Sequence, residues 1–175
     1  MRYILLFIKT LLRTILKPLS FVPAIVVMVM IYQFSAQGGA DSSALSYKVT
    51  KMVVRVADEV LDKDLSEAQI EAYVKKYHYH VRKLGHFTEY FILAVTVAFP
   101  LYVYGMRGLP LVLFAGAFCV GFACLDEYHQ SFVAGRTPSK RDVVIDSCGA
   151  FLGILVTRII GFIGRKTIFA PLAKK

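Results

Sequence analysis

The sequence predicts an all-α, polytopic membrane bundle of about four transmembrane helices with interfacial amphipathic helices beside them. Three observations carry this. Apolar residues make up 57% of the 175 positions and charged residues only 19%, too apolar a balance for an ordinary soluble fold. Four segments meet or approach the roughly 17–25 apolar residues that a helix needs to cross hydrocarbon. The longest polar stretch between them repeats its apolar residues at helical period. The length leaves room for one domain, taken as residues 1–175.

The first element is a basic segment over residues 1–18. It is apolar apart from its cations, of which Lys9, Arg13 and Lys17 recur every four residues. That stripe suits a helix in the membrane interface, or an extension of the first span whose cations snorkel. The small residues Gly38-Gly39-Ala40 would suit signal cleavage, but the leader is long for that purpose and a retained helix is expected. The first span runs over residues 19–34.

Residues 38–81 follow as a helical loop outside the lipid. Leu45, Val49, Met52, Val53, Val56 and Val60 share one helical face, opposite Lys48, Lys51, Arg55 and Asp58. A second helix starts at Ser66, where Ser66 and Gln69 form a capping box and Leu65 and Ile70 a hydrophobic staple. It passes through the Tyr/His/Lys-rich stretch 73–81, with scope to merge into the second span. These amphipathic helices are expected on the membrane surface, over the other helices. His78 and His80 read as interfacial side chains rather than metal ligands.

The second span, residues 84–104, contains Pro100, a potential kink. Gly105-Met106-Arg107-Gly108 turns it tightly into the third, residues 109–125, so the two are antiparallel neighbours. The fourth covers residues 143–163, and a basic tail occupies 165–175. In the fourth, Gly149 and Gly153 read as close helix packing.

Charge sets the orientation. With four spans both termini share a side, which holds Arg2, Lys9, Arg13, Lys17, Arg107, Arg165, Lys166, Lys174 and Lys175 and no acid. The loop 41–83 carries eight basic and seven acidic residues, and the segment 126–142 three of each. Both termini are therefore expected in the cytoplasm. The +9 net charge reflects topology, and no nucleic-acid partner is implied. Arg158 has the position to snorkel to lipid phosphates. Cys119, Cys124 and Cys148 lie in apolar stretches as small hydrophobes, with no disulfide framework and no zinc spacing. No metal ligand set is expected, and no cofactor can be named.

Two stretches break the apolar pattern at the outer ends of the spans. Arg82, Lys83, His86, Glu89 and Tyr90 enter the second span, with His86, Glu89 and Tyr90 stacked at i, i+3 and i+4. Asp126, Glu127 and Gln130 leave the third; Arg136 follows in the turn, and Asp142 and Asp146 open the fourth. A charge at mid-bilayer costs roughly 2.5–3.5 kcal/mol on insertion scales, less near the interface. The acids must therefore face cations, water or one another. Arg82, Lys83, Arg136, Lys140 and Arg141 are the cations on that side. Topology thus draws the last three spans into one charged site. A purely structural cluster of ion pairs and caps, with Ser139 or Asp142 capping the fourth helix, satisfies the same spacing.

The ordered motifs Arg82-Lys83-x-x-His86-Phe-x-x-Tyr90, Asp126-Glu127-x-x-Gln130, Gly135-Arg136-Thr-Pro-Ser-x-x-Asp142 and Gly149-Ala-x-x-Gly153 resemble the VanZ-like family. So do Phe34-Ser35-Ala-Gln37 and the serines Ser42 and Ser46. The resemblance implies a small multi-pass protein of the bacterial cytoplasmic membrane. It also links the chain to a family named for an accessory protein of glycopeptide (teicoplanin) resistance, and to cell-envelope homeostasis.

Three functions suit these residues. The site binds an envelope lipid or polyprenyl-linked headgroup through Arg82, Lys83, Tyr90, Gln130, Arg136, Asp142 and Asp146, a membrane lipid being the partner. Alternatively it is an intramembrane enzyme on such a lipid, with Glu89, Asp126 or Glu127 as general base and His86 as acid or base. No HExxH or GxSxG motif accompanies those residues. The third possibility is a scaffold whose loop, residues 42–81, docks an envelope protein partner.

Overall fold

The computed structural model describes residues 17–166 together with Phe7, Thr10, Leu11 and Thr14. Most of the basic segment 1–18, with Lys9 and Arg13, and the tail past Lys166 lie outside the described residues. Among the described residues there are helices and no strands: α1 (Val22–Ser35), α2 (Gly39–Leu61), α3 (Glu67–Val103), α4 (Gly108–Gln130) and α5 (Lys140–Lys166). Four are long and apolar enough to span a membrane: α1 counted from Lys17, then α3, α4 and α5. The chain is a multi-pass membrane protein, and the expected spans fall inside these helices except for Tyr104, which follows the end of α3.

α3 is the merged helix that the sequence left open, because nothing between Glu67 and Phe99 breaks it. The capping box forms at its start, with Ser66 N–H donating to Gln69 Oε1 at 2.9 Å and Gln69 N–H to Ser66 Oγ at 3.4 Å. Its 37 residues then run without interruption, so the helix of the loop and the second span are one element. At 1.5 Å per residue it is about 55 Å long, against a hydrocarbon thickness of about 30 Å. Some 25 Å of it, residues 67–83, precedes the segment expected as the second span. Pro100 lies in the last turn, and the chain reverses through Gly105 (φ 100°) and Gly108 (φ 62°), where only glycine is unstrained.

α2 lies antiparallel along the extended part of α3. Polar contacts hold it there: Arg55 to Glu67 at 2.7 Å, Lys51 to Glu67 at 3.3 Å, Ser43 Oγ to His78 Nε2 at 3.2 Å, and the Tyr47 hydroxyl to Glu71. The apolar face of α2 is consequently left outward, with Met52 66% and Val60 75% exposed.

α3 is the hub, packing against each of the other four helices. Its interface with α5 is close because α5 presents small residues every four positions. A Cβ on Gly149 would sit 2.1 Å from the Phe87 carbonyl oxygen, one on Gly153 2.5 Å from that of Phe91, and one on Gly161 2.5 Å from the Tyr102 ring. Between them Tyr90, Leu93, Ala94 and Ala98 of α3 meet Ala115, Cys119 and Ala123 of α4 and Ala150 and Ile154 of α5 in a fully buried core. At one end of the bundle Lys17 lies over Tyr104 and Arg107 over Tyr102, and Arg107, Arg158 and Arg165 surround a cleft. The acids gather at the other end.

Candidate functional site

At that other end a cavity of about 210 Å³ opens between α1, α2, α3 and the last turn of α4. Helical spacing places its lining. Arg82, His86 and Glu89 lie one turn apart on α3; Asp126 and Gln130 are i, i+4 on α4; Ile31 and Ser35 are i, i+4 on α1; Ser42 and Ser46 are i, i+4 on α2. Arg136 enters from the loop between α4 and α5.

Two glycines let α2 and that loop meet. Gly39 N–H donates to Ala134 O at 3.0 Å, and a Cβ on Gly39 would lie 1.9 Å from the Gly135 carbonyl oxygen. The small residues at 38–40 are thus used for backbone contact. That contact brings Ser42 and Arg136 to the same cavity. Gly85 also lines it, and a Cβ there would meet nothing within 4 Å.

Of the eleven residues singled out from the sequence, Arg82, His86, Glu89, Asp126, Gln130 and Arg136 line the cavity. Lys83, Tyr90, Glu127, Asp142 and Asp146 form the structure behind it. Tyr90 is fully buried against Phe122, with ring centroids 6.2 Å apart. Its i+4 relation to His86 puts it on the same general side of α3, but turned into the core. Asp146 is also fully buried, with one carboxylate oxygen 3.7 Å from His86 Nδ1. Residues of α1 and α2 widen the site beyond the last three spans. The Phe34-Ser35-Ala-Gln37 motif and the Ser42/Ser46 pair were the signals for them.

The cations divide unequally among the acids. Lys83 Nζ grips both oxygens of Asp142, at 2.5 and 2.7 Å, tying α3 to the first turn of α5. Arg136 instead donates through Nε to Gln37 O at 3.1 Å and through Nη2 to Phe34 O at 2.9 Å. It thereby adds charged donors to carbonyls at the end of α1. Burial, and next the Arg82 guanidinium, lower its pKa from the usual arginine value; the group stays charged at neutral pH. Lys140 and Arg141 are exposed.

Two carboxylates are committed to helix ends. Glu127 Oε2 accepts the Ser139 N–H at 2.7 Å, so the start of α5 is anchored by a side chain of α4. Asp126 accepts from Gln130 at 3.0 Å one turn on.

Buried side-chain polar atoms are nearly always hydrogen-bonded. Among the described residues seven such atoms have no partner, and six belong to this cluster: Arg82 Nε, His86 Nδ1, Tyr90 Oη, Glu127 Oε1 and both oxygens of Asp146. Unpaired hydrogen-bonding capacity is concentrated behind and along the cavity wall. Among the described residues no group of three or more His, Cys, Asp or Glu side chains is placed to hold a metal ion.

No curated protein and no solved structure matches the chain. The family model described as VanZ/LLP1 matches residues 20–161, which include every residue that lines the cavity. With well over half of its length matched, motifs and site included, the chain belongs to the VanZ/LLP1 family.

Proposed function

We propose that the cavity binds the polar headgroup of an envelope lipid or polyprenyl-linked precursor, with Arg82 as the principal contact for its phosphate. The observation that carries this is Arg82 itself. It lines a cavity in a membrane protein, and its buried Nε has no hydrogen-bond partner, whereas Arg136 is held by the carbonyls of α1. A guanidinium suits a phosphate oxygen pair. Ser42, Ser46, Gln37 and Gln130 supply neutral polar groups around it. Binding is favoured over turnover because Glu127 and Asp126, two of the candidate bases, already hold Ser139 and Gln130. In this reading the protein lies in the bacterial cytoplasmic membrane, and the cationic end with Lys17, Arg107 and Arg165 faces the cytoplasm. The cavity then belongs to the outer leaflet side.

The test uses the full chain in phosphatidylcholine nanodiscs doped with phosphatidylglycerol or undecaprenyl phosphate, with retained lipid read by native mass spectrometry. A hydrogen bond to a charged group contributes roughly 1.5–3 kcal/mol. Arg82→Gln should therefore lower retention about tenfold or more, with thermal unfolding unchanged. Equal retention by a well-folded Arg82→Gln protein defeats the proposal.

A further inference from the structure

A second cavity, of about 400 Å³, lies in the cleft between α2 and the extended part of α3. It begins where the polar one ends. Val81 lines both, and Val49 of the first cavity is followed in the chain by Thr50 of the second. The character of the wall changes across that boundary, from Arg82, His86 and Glu89 to Val53, Val54, Ala57, Leu61, Tyr73 and Tyr77. From Thr50 to Leu61 the cleft follows α2 for roughly 16 Å. Thr50 adds no free donor, since its hydroxyl is given to Ser46 O at 2.7 Å. At the far end, by the turn before α3, lie the charged groups of the lining, Asp58 and Lys63, with the Asp58 carboxylate accepting the Leu65 N–H at 3.1 Å.

We infer that this groove holds one hydrocarbon chain of the same membrane lipid whose headgroup is bound at Arg82, so that the site selects its ligand by tail as well as head. The inference rests on the headgroup reading and deepens it. Three observations favour a lipid chain as occupant. The groove adjoins the polar cavity at Val81, so a molecule with a polar end and an apolar body fits the pair. Together the two cavities reach the range of about 300–1,000 Å³ typical of small-molecule sites. The outer face of α2 beside the groove, with Met52 and Val60 exposed, is apolar as a helix lying against lipid is.

Two forms of phosphatidylglycerol, each in nanodiscs with the full chain, test this. One carries a diazirine on the headgroup and the other carries it at the end of an acyl chain, and crosslinked peptides are identified by mass spectrometry. The head probe should label residues 82–89 and 126–136, and the tail probe residues 50–61 and 73–84. Ala57→Phe should lower tail labelling of the groove at least tenfold, while at saturating lipid the head probe should still label the cavity. Displacing two or three methylenes, at about fourfold in affinity each, produces that loss. Val54→Phe blocks the groove independently and should act alike. Tail labelling that survives both substitutions, or is no richer in the groove than on the lipid-facing Leu113 and Phe114, overturns the inference while leaving the headgroup site standing. A head probe that misses the cavity instead defeats the headgroup reading.

Discussion

Breaking the Lys83–Asp142 pair from either side should destabilise the protein far more than removing both partners. The two side chains are only 17% and 10% exposed, and one ammonium contacts both carboxylate oxygens at 2.5 and 2.7 Å. Lys83→Met leaves Asp142 charged at the packed start of α5, and Asp142→Leu leaves the ammonium between α3 and the ring of Tyr79, 5.2 Å away. An orphaned buried charge costs about 3–5 kcal/mol, whereas replacing both partners by apolar groups is often near neutral. At roughly 2–4 °C per kcal/mol for a chain of this length, each single variant should lose roughly 6–20 °C in melting temperature. The double variant should recover most of it. Recovery will stop short of the wild type, because an acid in the first turn of a helix is itself favourable by about 0.3–1 kcal/mol. The chain has no tryptophan, so unfolding is best followed through Cys119, which is fully buried. With Cys124 and Cys148 changed to serine, a thiol-reactive dye reports its exposure on heating. Single variants within about 1 kcal/mol of wild type, or a double variant as unstable as the sum of the singles, would refute the claim that this pair locks α3 to α5.

The α3–α5 interface makes an equally sharp prediction about glycines. Gly149→Ala should cost about 1–3 kcal/mol or more, because the added methyl would lie 2.1 Å from a backbone oxygen that cannot step aside cheaply. Gly121→Ala, where nothing lies within 4 Å, should instead stabilise α4 by about 0.5–1 kcal/mol; the same Cys119 assay reads both, and equal effects would sink the close-packing account. The proposed orientation is checked in intact cells with a membrane-impermeant maleimide. A single cysteine at Lys63 should label at once and one at Arg107 only after permeabilisation, and the reverse order would invert the topology.

The positions of the acids explain how a chain so apolar tolerates them. Asp126 and Glu127 lie near the end of α4, and Asp142 and Asp146 in the first two turns of α5, so all four gather at one end of the bundle. Glu127 and Asp142 are spent on partners, Ser139 N–H and Lys83. Asp146 differs: its carboxylate is wholly buried with neither oxygen hydrogen-bonded, and the His86 ring lies 3.7 Å away.

Four spans, the tight turn at Gly105–Gly108, the capped start at Ser66 and the gathering of Glu89, Asp126 and Asp146 at one end are all legible along the chain. Hydrophobic length, helical period and the cost of charge in lipid are local or one-dimensional properties, so they can be read along the chain. Tertiary structure alone decided which cation meets which acid. Arg136 and Lys83 are equivalent by charge and side of the membrane, yet one caps α1 carbonyls and the other neutralises Asp142. It also decided that Tyr90 faces the core while Glu89, one residue before it, faces the cavity, because the 100° between adjacent residues acquires meaning only once the neighbours of α3 are in place. The groove between α2 and α3 exists for the same reason. Its walls come from two helices whose separation is set by polar pairs such as Arg55–Glu67, and no pattern within either helix encodes that distance.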